Sequence, residues 1–226
     1  MEDLRKRLSE SLKVKTSNGE DIRLSYFPAR GRAEISRLIL AYAAVKYDDI
    51  RLTGEEFGKV KPVLPYGSVP ILEHKGEVIC ESMAIAKYLA EECGLAGTCN
   101  LTKAQADEIV LGINGIFESV AKCLFAPEGE KAGLKKKLVE ETLPTKLAQL
   151  EARLCLRGGQ YFAGNALTYA DLMVVVLQDN LRSAVIGAGS SIEKFPKLCS
   201  LYERVIAVPN IKAWRGARPV DPMFNN

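Results

Sequence analysis

The chain has 226 residues, with 31 Lys plus Arg against 28 Asp plus Glu and a net charge of +3. Hydrophobic residues make up 47% and charged residues 26%, the balance of a globular protein long enough to bury a core. Basic residues are scattered among acids and apolar runs such as Leu172 to Leu177 are short, none exceeding the eight residues of Leu38 to Val45, so neither a nucleic-acid face nor a membrane span of about 20 apolar residues is expected.

Residues 1–21 read as a polar tail, with leucines at 4, 8 and 12 spaced for a short amphipathic helix that Ser17-Asn18-Gly19 ends. The tail holds five basic and five acidic residues and no apolar stretch. No secretory signal is expected there, and the expected compartment is the cytosol. Ile22 to Tyr26 alternates as a strand does, and Pro28 to Gly31 reads as a loop. From Arg32 the period changes: Ile35, Leu38, Ile39 and Tyr42 share one helical face. Tyr47 to Leu52 reads as a second strand, parallel to the first through a right-handed crossover.

A Pro- and Gly-rich loop follows, ending in Pro65-Tyr66-Gly67-Ser68-Val69-Pro70. Ile71-Leu72-Glu73 and Val78-Ile79-Cys80 read as a hairpin around a turn at His74-Lys75-Gly76, which leaves His74 exposed to solvent. Ser82 opens a helix with Ile85, Tyr88 and Leu89 on one face. Beyond Gly97 only helical periods are found: Lys103 to Leu124, Glu130 to Leu154, Asp171 to Ile186 and Phe195 to Ala207. Thr168-Tyr169-Ala170-Asp171 has the spacing of a capping box, flanked by a Leu167/Leu172 staple. The boundary between the two halves is expected near Gly94 to Leu101, giving domains over 22–95 and 103–226.

The six cysteines show no C-x-x-C spacing, and the only histidine, His74, lies near none of them. Metal and dithiol chemistry therefore lack their spacing signals, and reduced, mostly buried thiols without a catalytic role are expected.

The layout resembles a thioredoxin-like α/β domain followed by an all-α helical domain. Four segments make the resemblance specific. Tyr26-Phe27-Pro28-Ala29-Arg30-Gly31-Arg32-Ala33-Glu34 resembles the opening of sigma-class cytosolic glutathione transferases. Gly67-Ser68-Val69-Pro70 resembles that family's cis-proline loop. Glu81-Ser82-Met83-Ala84-Ile85-Ala86-Lys87-Tyr88-Leu89 resembles its Gln/Glu-Ser helix start, and Asn165 to Asp171 its capping motif. The resemblance covers roughly residues 22–215 and implies transfer of the glutathione thiolate to hydrophobic electrophiles. Glutathione would be a co-substrate, with no cofactor and no metal.

The resemblance also implies roles. Alone, Tyr26 reads as a strand-end core aromatic; within the motif it donates its O–H to the glutathione sulfur. A free thiol has a pKa of about 8.5, so a donor aimed at the sulfur favours the reactive thiolate. Arg32 adds positive potential near that sulfur; otherwise it is a surface residue pairing with Glu34 or Glu81, a reading that suits Arg30 better. Val69, before a cis Pro70, pairs its backbone with the cysteinyl unit as an added strand would. Glu81 and Ser82, at a helix N-terminus, hold the γ-glutamyl end. Phe57 and Lys61 flank the glycyl end, beside Gly67 and Ser68.

Two departures from the sigma pattern stand out. Glu81 occupies a position usually held by Gln, and Ile113-Asn114-Gly115-Ile116 lacks the acid usual there. Together they imply that Glu81 itself meets the ligand ammonium. The electrophile is expected between Phe27–Arg30, the Phe117–Leu124 face and the tail near Phe224. A homodimer is expected, with Tyr66 inserting into the partner. Alternative functions are a glutathione-dependent isomerase of the prostaglandin D synthase kind, and a non-catalytic crystallin-like or ligand-carrier protein.

Overall fold

The computed structural model describes residues 21–182 and 192–221. Strand β1 (Ile22–Tyr26) runs at the centre of a four-stranded sheet of order β2-β1-β3-β4. Its neighbours are β2 (Asp48–Arg51), parallel, and β3 (Ile71–His74), antiparallel, which pairs in turn with β4 (Glu77–Cys80). Buried Leu24 lies opposite Asp49 on one side and Leu72 on the other. The period-two pattern of β1 thus sets its register, since a slip by one residue would turn Leu24 away from the core.

A 3₁₀ turn at Gly31–Ala33 leads into α1 (Glu34–Tyr42), whose buried face carries Ile35, Leu38 and Ile39. The segment before β3 is not all loop. Gly54–Val60 forms helix α2, opened by a reciprocal cap between Thr53 and Glu56, and Lys61–Val63 forms one 3₁₀ turn. The hairpin turn also departs from expectation. Its two central residues are Lys75 and Gly76, with φ of 50° and 84°. Two successive positive φ values match the tight turn whose twist suits a hairpin. His74 therefore belongs to β3, opposite Glu77, and only 7% of it is exposed. Its Nδ1 lies 2.9 Å from the Tyr88 hydroxyl.

Helix α3 (Ser82–Glu92) closes the sheet-bearing half. The α-helices described beyond it are α4 (Asn100–Phe125), α5 (Glu128–Lys137), α6 (Leu143–Leu156), α7 (Tyr169–Leu181), α8 (Pro196–Ile206) and α9 (Pro209–Ala217), and no strand is found among the described residues there. A π-helical turn at Leu138–Thr142 separates α5 from α6, where the sequence reads as one helix. Helix α9 follows the last helical segment read from the sequence, which ends at Ala207. It starts on Pro209, whose missing N–H costs nothing at a first helical position. The expected end of α7 at Ile186 and the tail before residue 21 lie outside the described residues.

Helix α7 is buried on every side and packs against α1, α3, α4 and α8. Its start is fixed as the Thr168–Asp171 spacing predicts. The Asp171 carboxylate accepts from the Thr168 N–H at 2.7 Å, the Thr168 hydroxyl at 3.0 Å and the Phe162 N–H at 2.9 Å. Burial outweighs these bonds and pushes the Asp171 pKa up to about 6. Among the described residues, no helix is long and apolar enough to cross a membrane.

Candidate active site

Tyr26 is the last residue of β1, so its side chain leaves the sheet where the pairing stops. The next turn wraps around it, and the main-chain N–H of Arg32 donates to the Tyr26 hydroxyl at 3.3 Å. A phenol oxygen that accepts this bond keeps its own proton for another acceptor. Beneath the ring, the Arg37 guanidinium carbon stands 5.9 Å from the ring centroid.

Two cavities meet at Arg32. The first, about 300 Å³, is lined by Arg32, Ser68, Val69, Pro70, Glu81 and Ser82. This volume is at the lower end of small-molecule sites, roughly 300–1,000 Å³. The Val69–Pro70 peptide is cis, as expected. Buried Ser82 opens the eleven-residue α3, whose first N–H groups point outward from the helix. Glu81, just before it, is exposed and has φ of 70°. Non-glycine residues in that region cost about 1–3 kcal/mol and cluster at functional sites.

The second cavity, about 230 Å³, is lined by Tyr26, Phe27, Ala29, Gly31, Arg32, Phe117, Val120, Ala121, Leu124, Phe125 and Asn180. Its walls are the two expected from sequence, the loop after β1 and one face of α4. Phe224, the third expected wall, lies outside the described residues. Phe125, 83% exposed, and Asn180 are additions. Asn180 had a signal: Gln178-Asp179-Asn180 breaks the apolar run of a buried helix.

Phe57, Lys61 and Gly67 are not part of either lining. They form a patch beside them. The Phe57 ring packs edge-on to Phe27 with centroids 5.0 Å apart, and Lys61 Nζ lies 5.8 Å from the Phe57 centroid. Gly67 has a φ of 59°, which suits glycine, and a Cβ there would meet the Lys61 stem at an ordinary 3.8 Å.

Other expected partners change. Arg32 donates to the Asn114 side-chain oxygen at 3.4 Å, rather than pairing with Glu34 or Glu81. Asn114 in turn donates to Glu118 at 2.9 Å, so a carboxylate stands one helical turn from the stretch that lacks one. Arg30 is no surface residue pairing with Glu34 or Glu81. It lies 3.4 Å from Asp221 and 3.7 Å from Asp179. No local pattern announces partners so distant in sequence.

The thiols also depart from expectation: none of the six is fully buried, and Cys99 and Cys155 are exposed. Cys99 caps α4 in place of the usual Ser or Asp. Hydrogen bonds from the Thr102 main chain and hydroxyl, and from Leu101, hold its thiol pKa below the ordinary value. Burial pushes Cys80, Cys93, Cys123 and Cys199 the other way.

Comparison with known proteins agrees with the two-part fold. Residues 22–91 match the family model for the glutathione S-transferase N-terminal domain, and residues 114–218 that for the C-terminal domain. The chain is 40% identical over 199 residues to a hematopoietic prostaglandin D synthase of Gallus gallus, covering 87% of this chain and 96% of that one. It is 38% identical over 202 residues to glutathione S-transferase 3 of Caenorhabditis elegans, with coverage of 87% and 96%. Among solved structures, rat hPGDS complexed with a quinoline superposes with a TM-score of 0.80 at 33% identity, covering 88% of this chain and 97% of that one. The glutathione S-transferase from Ascaris lumbricoides gives 0.78 at 32% identity, with coverage of 88% and 98%. With two domain models matched in order and relatives at this identity over most of its length, the chain belongs to the glutathione S-transferase family.

Proposed function

We propose that this chain is a cytosolic, sigma-class-like transferase that joins the glutathione thiolate to hydrophobic electrophiles, working as a homodimer. The observation that carries this reading is the placement of Tyr26 and Arg32 where a polar cavity meets an apolar one. Glutathione would lie in the polar cavity. Its γ-glutamyl carboxylate would meet the α3 N-terminus and Ser82, where helix N–H groups favour an anion. Glu81 would face the ammonium. The cysteinyl backbone would pair with Val69 just ahead of β3, as an added strand does. Lys61 and Phe57 would flank the glycyl carboxylate beside Gly67 and Ser68. The electrophile would occupy the apolar cavity.

With an aryl halide, the thiol first loses its proton to solvent. The Tyr26 O–H donates to the resulting thiolate, and the Arg32 charge adds favourable potential. Sulfur then attacks the ring carbon, a C–S bond forms, and the halide leaves with the electron pair of its broken bond. No step calls on a metal or a further cofactor.

A second reading, a glutathione-dependent isomerase, is favoured by one specific observation: relatives named hematopoietic prostaglandin D synthase at 40% and 37% identity. One experiment separates the readings. The protein is passed over immobilised glutathione, then assayed with glutathione and a chromogenic aryl halide, and separately for formation of prostaglandin D. Retention and halide turnover are the expected result. Prostaglandin D formation without halide turnover would move the assignment to the isomerase. Retention with neither activity would favour a carrier.

A further inference from the structure

The loop between Tyr26 and Gly31 carries one wall of the apolar cavity, yet it lies beyond the last paired residue of β1. Side chains hold it instead. The Ala29 carbonyl accepts from Arg37 Nη1 at 2.7 Å. The Arg30 main-chain N–H donates to Asp221 Oδ2 at 2.5 Å, across 191 residues of chain. The Arg30 guanidinium reaches the same oxygen at 3.4 Å and Asp179 at 3.7 Å.

Asp221 arrives there because the end of the described chain is itself tied down. Arg215 and Arg218 donate to Asp179 at 2.6 and 2.8 Å. Arg218 and Trp214 donate to Glu34 at 2.8 and 3.1 Å. Glu34 sits on α1, the helix that also supplies Arg37. The Asp221 side chain is only 2% exposed and that of Asp179 7%. Buried ion pairs of this kind add little net stability, because desolvation offsets their attraction. What they do give is a defined geometry, and here that geometry converges on the loop after β1 that lines the apolar cavity.

We propose that Asp221 is a positioning residue for the electrophile: by holding the Arg30 main chain it fixes the Phe27–Gly31 wall and so sets which hydrophobic substrates reach the sulfur. This rests on the transferase reading of the two cavities. Glutathione would lie in the other cavity, whose lining holds no residue from Phe27 to Gly31. The effect of losing Asp221 should therefore fall mainly on the second substrate.

The test compares Asp221→Ala and Asp221→Asn in the full chain. A misplacement of about 1 Å near a reacting centre costs on the order of 100-fold in rate. Partial release of this wall should raise the KM for an aryl halide roughly 10-fold in the Ala variant at saturating glutathione. The glutathione Kd, from titration, should stay at the wild-type value. Asn keeps an acceptor oxygen but loses the charge that makes such bonds about twice as strong, so its KM should fall between wild type and Ala.

Deuterium exchange of the amides from Phe27 to Arg30 gives a readout independent of turnover, and should quicken in the same order. If wild type shows no turnover, the transferase reading fails, and exchange still decides whether Asp221 holds the loop. Unchanged KM and unchanged exchange in the folded Ala variant would overturn the proposal. So would equal losses in KM and glutathione Kd, which would mark a general loosening. If Ala does not fold, wild-type KM and exchange in the Asn variant would overturn it equally.

Discussion

A Cβ placed on Gly31 would lie 2.6 Å from the Tyr26 hydroxyl oxygen and 2.9 Å from its ring edge. Gly31 is therefore the residue over which Tyr26 is folded, and its φ of 40° suits glycine. Gly31→Ala should push the ring aside and also strain the backbone by about 1–2 kcal/mol. The expected outcome is a folded protein with a lower melting temperature and kcat/KM reduced on the order of 100-fold. Full turnover in this variant would show that the position of the hydroxyl is unimportant.

Tyr26→Phe removes the hydroxyl and leaves the ring. Loss of a donor to a developing or resident anion should lower kcat/KM for conjugation by roughly 10- to 1000-fold. Glutathione affinity should change little. The ultraviolet absorbance of bound thiolate, followed against pH, is the direct check. An unmoved titration with normal turnover would take Tyr26 out of the mechanism.

Glu81→Gln restores the residue usual in the sigma class, yet should weaken glutathione binding. The acid nearest the Asn114 stretch, Glu118, is already engaged by Asn114. Glu81 lines the polar cavity and is exposed, so the loss should be smaller than the 2–5 kcal/mol or so found for buried pairs. Calorimetric titration showing tighter binding by the Gln variant would sink this assignment.

Asp171 should act on stability and not on turnover. Its pKa rises from 3.8 to about 6 on folding, with burial as the main cause. The folded state thus holds the proton more tightly. The contribution of this group is complete below about pH 4 and declines as pH rises toward 6. Asp171→Asn removes that titration, so the gap between wild-type and variant stability should change across this window. Asp171→Ala should cost about 0.5–2 kcal/mol as a lost cap, and more if the Phe162 N–H is left unpaired. Normal melting with lost turnover would point to a role at the site instead.

Tyr66 stands 70% exposed and Leu111 58% exposed. Large exposed apolar groups of this kind suit a subunit contact. Tyr66→Ala should shift a dimer toward monomer, since truncating a hot spot costs at least about 2 kcal/mol. Sedimentation at low concentration checks it. An unchanged dissociation constant would place the contact elsewhere.

Local chemistry was well written in the sequence. The strand ending on Tyr26 and the Thr168–Asp171 cap were legible, because each depends on neighbours a few residues apart, whereas the cis Pro70 was expected from the family resemblance alone. Helix α2 had a readable cap in Thr53 and Glu56, but Gly54, Gly58 and Pro62 argued more loudly for loop. His74 was misplaced by one residue, since Lys75-Gly76 alone makes the turn. The π-helical turn before Leu143 left no trace in the apolar period. The ties from Asp221 to Arg30 and from Arg218 to Glu34 join residues 191 and 184 apart, and tertiary folding alone creates them.

One apolar cluster runs from Ile22 in β1 through α1, α3, α4 and α7 to Ile211 in α9. Two folds by topology are thus one body by cohesion. Helix α7 has no wet face to offer if the sheet-bearing half is taken away, so neither half would survive as a separate recombinant product. Heat should melt the pair in a single calorimetric peak. Any drift in the polar cavity must then be tolerated by the helices behind it, which ties the inheritance of the two cavities together.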